Sequence, residues 1–387
     1  VLQVGVPKSP RFNVHIARDT MRPILTAESV TEGHPDKVAD LIVDSILDAH
    51  VSGDPMSRVA CEALCKGGRV VLAGEITSQA SVDYEKVVRE VARQIGYTDA
   101  GERFNADALE VNVWIEPQSV EISTAVQRSE SAELGAGDQG IVVGYATDET
   151  PQLMPLPVVL AHALSRRLAE DRKSGTVPWL CPDGKTQVSV EYDDDRPVAV
   201  AAVVVSPQHM ASVDRATIVS YVRKRLLPDV LGEWHGDDID LEVNPSGSFV
   251  QGGPSADSGL SGRKIVVDNY GPIVRHGGGS FSGKDATKVD RTGAYFCRYV
   301  ARRIVRAGLA RRVELQVAYA IGRARPVALN IETFGSGDPG AALELARSFD
   351  FAPQAMIERL GLRRPLFRTT TNYGHFGRPG LPWEADE

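Results

Sequence analysis

The run Arg275-His276-Gly277-Gly278-Gly279-Ser280-Phe281-Ser282-Gly283-Lys284-Asp285 gathers the residue types that hold an anion. Glycines let the backbone turn successive N–H groups toward a ligand, and Arg275, His276, Lys284, Lys288 and Arg291 flank them with cationic or titratable side chains. A helical pattern follows from Asp290 to Ala307, and the free N–H groups at a helix N-terminus favour phosphate. Residues 278–284 fit G-x-x-x-x-G-K, but Asp285 stands where a P-loop carries its Mg²⁺-binding Ser or Thr and no strand immediately precedes the glycines, so a P-loop fold is not expected. The bland alternative is a glycine-rich surface loop ahead of a basic helix.

Other candidates lie upstream. Thr31-Glu32-Gly33-His34-Pro35-Asp36-Lys37 opens a helix, with proline in the first turn and Asp36 complementing the dipole beside His34, a place where an ion could gather. Asp36, Asp40, Asp44 and Asp48 repeat every four residues, which reads as a solvated face for all but Asp36. Glu62 and Glu75 interrupt apolar strand patterns, so each is either on the solvent face or buried with a partner. Phe249, among glycines and close to Asp257, is core filling or a platform on which a base stacks.

These groups need elements to position them. Val38, Leu41, Ile42, Ser45, Ile46 and Ala49 recur at helical spacing; Arg58–Cys65 and Arg69–Thr77 form a hairpin about Lys66-Gly67-Gly68; Val82–Ile95 is a second helix. The same order returns as helix Leu156–Arg172, hairpin Thr186–Tyr192 and Val198–Val205, helix Ser212–Leu227. It returns again as helix Asp290–Ala307, hairpin Val313–Ile321 and Val327–Phe334, helix Gly340–Phe349. The fold class is therefore α+β, three similar modules each with helices on one face of a sheet. The expected division is an extension over 1–21, an N-terminal module over 22–121, a lid-like loop over 118–137, a central module over 135–250 and a C-terminal module over 251–387.

A chain of 387 residues with 24% charged and 42% apolar residues is expected to be soluble and globular, and its net charge of -8 argues against nucleic acid as partner. No apolar run approaches the roughly 18 residues of a membrane span, and Val1–Thr20 lacks a signal peptide's apolar region. Cysteines at 61, 65, 181 and 297 form neither C-x-x-C nor a zinc spacing, so a reduced, cytoplasmic protein is expected. Arg263, Lys264, Arg275, Lys284, Lys288 and Arg291 crowd one region, which suits a small polyanion such as a nucleotide.

Ala27–Lys37, Gly135-Ala136-Gly137-Asp138-Gln139-Gly140, Ser261-Gly262-Arg263-Lys264 and Gly277–Asp285, with Tyr373–Arg378 and Pro382-Trp383-Glu384 near the end, resemble the motifs of the S-adenosylmethionine synthetase family. The resemblance spans about Arg22 to Glu384 and implies three related α+β domains about a pseudo-threefold axis. It implies attack of the methionine sulfur on C5′ of ATP, displacement of triphosphate, and hydrolysis of that triphosphate to pyrophosphate and phosphate. It further implies Mg²⁺, two per site, with K⁺, and a homodimer or homotetramer with active sites at the subunit interface.

Carried over by position, the resemblance implies that His34, Asp183, Gly184, Lys185, Phe249, Asp257, Arg263, Lys264, Ser280 and Lys284 contact ATP. Glu75, Gln118, Asp257 and Lys288 fall in the methionine pocket, and Asp138 where the family holds sugar and amine. Asp36 and Asp290 match Mg²⁺ ligands and Glu62 the K⁺ carboxylate, and the resemblance implies that His34, Lys185, Arg263, Lys284, Asp138 and Asp257 carry the catalysis. Ser248 and Thr124-Ala125 depart from the Arg and Gln-Gly of the family pattern. A nucleotide kinase or phosphohydrolase would use Lys284 and Asp36 alone, and a three-module binding protein would make the anion loop incidental. Methionine-dependent turnover of ATP separates the three.

Overall fold

The computed structural model describes residues 22–117 and 134–386. Strand β1 (Ile24–Val30) leads into α1 (Pro35–Gly53), the hairpin β2 (Arg58–Lys66) and β3 (Arg69–Thr77), α2 (Tyr84–Ile95) and β4 (Glu110–Glu116). Then come β5 (Gly140–Thr147), α3 (Leu156–Lys173), the long hairpin β6 (Leu180–Asp193) and β7 (Arg196–His209), α4 (Arg215–Tyr221) and β8 (Asp240–Val243). The last third holds β9 (Gly259–Leu260), α5 (Val289–Arg306), β10 (Arg312–Tyr319), β11 (Ala328–Glu332), α6 (Pro339–Arg347) and α7 (Pro353–Leu360). Periodicity and caps therefore located the three helix–hairpin–helix units. The helix expected over Ser212–Leu227 starts at Arg215, where the Asp214 side chain caps the Thr217 N–H, and widens into a π-turn at Val222–Leu226.

The sheets are not confined to the sequence segments that supply their hairpins. Their orders are β1-β6-β7-β8, β11-β10-β5 and β4-β3-β2-β9. Thus β1 from the first segment completes the central sheet, β5 from the second completes the last sheet, and β9 from the third edges the first. This cyclic exchange is the pattern that three modules about a pseudo-threefold axis produce. Helix α1 packs on β2, α3 on β6 and β1, and α5 on β5 and β10. One apolar core joins the first and last sheets through α1 and α5, while a second lies between the central sheet, α3 and α4.

The aspartate column on α1 corrects the expectation of a solvated face. Asp36, Asp40 and Asp44 are buried, and each is held by a later segment or a neighbouring cation. Asp40 accepts from the Gly262 N–H (2.8 Å) and lies 3.1 Å from the Lys37 ammonium, which donates to Asp268 at 2.7 Å. Asp44 forms a two-pronged pair with Arg291 (2.7 and 2.9 Å), both side chains wholly buried, and also accepts from the Gly283 N–H and Thr371 Oγ1–H. Asp48 accepts from the N–H groups of Phe367 and Arg368. A helical wheel shows that four carboxylates share a face; it cannot show that the C-terminal third of the chain supplies the donors covering it. Close fit accompanies this covering: Gly283 has φ +80° and a Cβ there would collide with the Cys61 carbonyl.

Candidate active site

His34 is the residue before α1, and its Nδ1 accepts the Asp36 N–H at 3.2 Å. That bond leaves the proton of the neutral ring on Nε2. Burial, and next the Lys264 ammonium, push the His34 pKa down to about 3 against the opposing pull of Asp36, so the imidazole is neutral and serves as a hydrogen-bond donor rather than a cation. Asp36 accepts from the Leu260 N–H (3.1 Å) and from Lys264 Nζ (2.5 Å), with Arg263 Nη1 3.6 Å away. Burial raises its pKa, but the Lys264 and Leu260 hydrogen bonds outweigh that and hold the carboxyl below its ordinary range. Strand β9, only two residues long, thus fixes Lys264 over the start of α1.

Asp183 and Lys185 reach the same place from β6, where Lys185 pairs with Val30 of β1. Asp183 is buried and accepts from the Gly184 N–H (2.7 Å) and the Gly253 N–H (2.8 Å); burial drives its pKa up to about 6 despite these bonds and the nearby Lys185 and Lys264. Phe249 is half-buried on the 244–252 loop, bonded through its backbone to His209. His34, Asp36, Asp183, Lys185, Arg263 and Lys264 therefore form one group contributed by all three segments.

A second group surrounds the glycine loop. Lys284 Nζ lies 2.7 Å from Asp290 Oδ2, each side chain about one-fifth exposed. Gly279 backs directly onto Asp290, and Ser280 faces Gly262, which joins this group to the Ser261–Lys264 stretch. Glu62 is on the outer face of β2 with its carboxylate against Ser261 Oγ; burial of that carboxyl raises its pKa, opposed by Ser261 and Lys284. Glu75 is exposed on the same face of β3. Asp138 and Asp257 are exposed, and among the described residues their carboxylates accept from the N–H groups of Gln139 and Ser258, next to them in the chain. Gln118, Thr124 and Ala125 lie outside the described residues, as do 1–21 and most of the expected lid.

The basic residues of the cation-rich region are paired within the chain. Each of its basic residues faces a carboxylate: Arg263 and Lys264 face Asp36, Arg275 faces Glu314, Lys284 faces Asp290, Lys288 faces Asp285, and Arg291 faces Asp44. Arg291 is fully buried and unavailable to a ligand. Nor do the glycines run straight into a helix N-terminus. Asp285 intervenes, accepting from the Val59 N–H, Thr287 and Lys288, so a carboxylate of the chain stands ahead of α5. Sequence reasoning saw Asp285 only as a departure from the P-loop pattern; its fixed distance from Lys288 at i,i+3 was the available signal. A substrate polyanion would have to replace Asp36 and Asp290 as partner of Lys264 and Lys284, or share them through a cation.

The His34 environment gives a stability test. A histidine whose folded pKa lies below its unfolded 6.5 binds protons more readily when unfolded, so stability falls as pH falls from 6.5 toward 3. His34→Asn keeps an N-cap acceptor without the titration. Between pH 7 and pH 5 the parent should lose about 2 kcal/mol more than the variant in urea unfolding. Parallel losses would place the His34 pKa near its ordinary value.

The chain matches family models described as the S-adenosylmethionine synthetase N-terminal domain over residues 22–120, central domain over 133–249 and C-terminal domain over 251–385. It is 53% identical over 376 residues to the S-adenosylmethionine synthase of Desulforudis audaxviator, covering 93% of this chain and 95% of the relative. It is 52% identical over 382 residues to that of Thermus thermophilus, covering 94% and 96%, and 50% identical over 383 residues to that of Nocardia farcinica, covering 93% and 95%. No helix among the described residues is long and apolar enough to cross a membrane.

Proposed function

We propose, from the premise that the chain belongs to the S-adenosylmethionine synthetase family, that it makes S-adenosylmethionine from ATP and L-methionine and then hydrolyses the displaced triphosphate. The observation that carries this reading is the neutral His34 set among Lys185, Arg263 and Lys264 at the start of α1. A thioether sulfur carries no proton, so its lone pair forms the S–C5′ bond while the C5′–O bond breaks and the oxygen leaves with the electron pair. No general base is required. What the step needs is charge stabilisation on the departing oxygen, which a His34 Nε2–H donor and the lysines supply, together with alignment of sulfur and C5′. Triphosphate hydrolysis then adds water across one P–O–P bond, the products being pyrophosphate and phosphate.

In this reading Phe249 stacks on adenine, Asp183, Gly184, Lys185, Arg263, Lys264, Ser280 and Lys284 contact the phosphates and nucleotide, Asp138 and Asp257 hold the sugar and the methionine amine, and Glu75, Gln118 and Lys288 complete the methionine pocket with Asp257. Asp36 and Asp290 would hold Mg²⁺. The described residues contain no group of three or more His, Cys, Asp or Glu placed to cage a metal, but Mg²⁺ commonly takes one or two carboxylates with waters and substrate phosphates, and two oriented carboxylates suit that coordination. When bound, such ions neutralise charge that grows on the triphosphate. Glu62 with Ser261 offers oxygen donors to K⁺.

The Glu62 face favours a homo-oligomer. Glu62, Ala73 and Trp114 are aligned across β2, β3 and β4, and Trp114 is 68% exposed. Leu64 and Leu260 pair beside them and are also exposed, so a second copy covering this apolar row would bring Glu62 and Glu75 to a shared site. Residues 22–121, 135–250 and 251–387 as modules, 118–137 as lid and a cytoplasmic location belong to the same proposal. The test is incubation with ATP, methionine, Mg²⁺ and K⁺: sedimentation as dimer or tetramer, methionine-dependent S-adenosylmethionine with phosphate and pyrophosphate, and loss of the K⁺ response in Glu62→Gln are expected. Phosphate release without methionine would favour a phosphohydrolase, and an unchanged K⁺ titration would remove Glu62 from the ion site.

A further inference from the structure

Strand β7 ends in Gln208-His209, both buried, and both side chains are spent on loops that carry proposed nucleotide contacts. Gln208 Oε1 accepts the Asp183 N–H at 3.0 Å while its Nε2 donates to the Val250 carbonyl at 2.9 Å. The His209 N–H donates to the Phe249 carbonyl at 3.0 Å. In return the Phe249 N–H meets His209 Nε2 at 3.1 Å, and His209 Nδ1 lies 3.0 Å from the Met210 carbonyl. An N–H can only donate and a carbonyl can only accept, so the two ring contacts together require the neutral tautomer with hydrogen on Nδ1 and a lone pair on Nε2. Space is tight as well: a Cβ on Gly252 would lie 2.6 Å from Gln208 Cδ and 3.0 Å from Asp183 Cβ.

We infer that Gln208 and His209 are positioning residues that set the Phe249 ring against the Asp183 loop and so determine affinity for the adenine end of the nucleotide. His209 fixes both backbone polar groups of Phe249, leaving the aromatic ring little freedom other than its own side-chain torsions. Gln208 ties the next residue, Val250, to the backbone of Asp183, so the platform and the phosphate-side loop move as one body. Both residues act through the loops they hold, Gln208 through Asp183 and Val250 and His209 through Phe249. The inference rests on the reading of Phe249 as adenine platform, which Phe249→Ala tests separately.

The experiment compares His209→Asn with His209→Gln in the full-length protein. Asparagine places its amide near the Nδ1 position and loses the acceptor for the Phe249 N–H; glutamine reaches the Nε2 position and keeps it. His209→Asn should raise KM for ATP about tenfold, the effect of one part-buried donor left unpaired, with KM for methionine and kcat at saturating ATP within twofold. Hydrolysis of added tripolyphosphate, which has no adenine, should not change. His209→Gln should restore KM for ATP to within threefold of the parent. Equal losses of ATP affinity, methionine affinity and tripolyphosphate hydrolysis would make the pair merely structural and overturn the inference, as would a defect confined to His209→Gln or absent from both. If Phe249→Ala leaves KM for ATP unchanged, the platform reading fails and the inference with it; if Phe249→Ala raises it while His209→Asn does not, only the inference fails.

Discussion

Arg291→Met should cost about 3–5 kcal/mol of stability, the range for breaking a buried ion pair from one side. Methionine removes the guanidinium that fills two oxygens of Asp44, and both side chains are wholly shielded from water. The loss extends beyond the pair. Arg291 also donates to the carbonyls of Phe281 and Lys284 and to Tyr295 Oη and Thr370 Oγ1, and it stacks 4.5 Å from the Phe367 ring. Against a typical total of about 5–15 kcal/mol, such a loss lowers the urea midpoint by a large fraction. Most of it comes from stranding the Asp44 charge, so Asp44→Asn/Arg291→Met should be more stable than Arg291→Met alone; asparagine still accepts the Gly283 N–H. A single variant within 1 kcal/mol of the parent, or a double variant less stable than the single, would show that the pair does not hold α1 to the glycine loop.

That pair also marks the limit of what the sequence revealed. Helices α1, α3 and α5 and the hairpins announce themselves through local spacing, caps and turn residues, and all of these act within a few positions. Strand β9 has two residues and takes its register from Leu64, nearly 200 positions away, so no local pattern marks it. The exchange of β1, β5 and β9 between sheets is invisible for the same reason. At the site, the motif resemblance located His34, Asp36 and Lys264, which do converge, because those motifs carry information about contacts that composition lacks. Local charge shows that cations crowd the glycine loop, but not that the fold gives each a carboxylate. Alternation left Glu62 and Glu75 undecided between solvent and core, and only strand pairing put them on the exposed face. Gln208 and His209 passed unnoticed because their partners, Asp183, Phe249 and Val250, lie 25 to 42 positions away.

Lys284→Ala should lower the rate of S-adenosylmethionine formation about 10²–10³-fold, the effect of removing one charged or hydrogen-bonding group aimed at charge that grows in a transition state. The fold should tolerate the change, since the backbone here is held independently of the ammonium. The Gly283 carbonyl accepts the Cys61 N–H at 3.0 Å, and the Lys284 carbonyl accepts from Arg291 at 3.2 Å. The side chain contributes one ion pair with Asp290, both partners partly open to solvent, and such pairs are worth about 0–1 kcal/mol. The rate loss should therefore accompany a change of at most about 1 kcal/mol in unfolding free energy. Removing Lys284 also frees the Asp290 carboxylate from its ion-pair partner, so the residual activity should reach half its maximum at a lower Mg²⁺ concentration than in the parent. A purely structural lysine would move stability and rate together and leave the Mg²⁺ titration where it was. A rate within threefold of the parent would take Lys284 out of the triphosphate site altogether and leave Lys185, Arg263 and Lys264 to hold the leaving group.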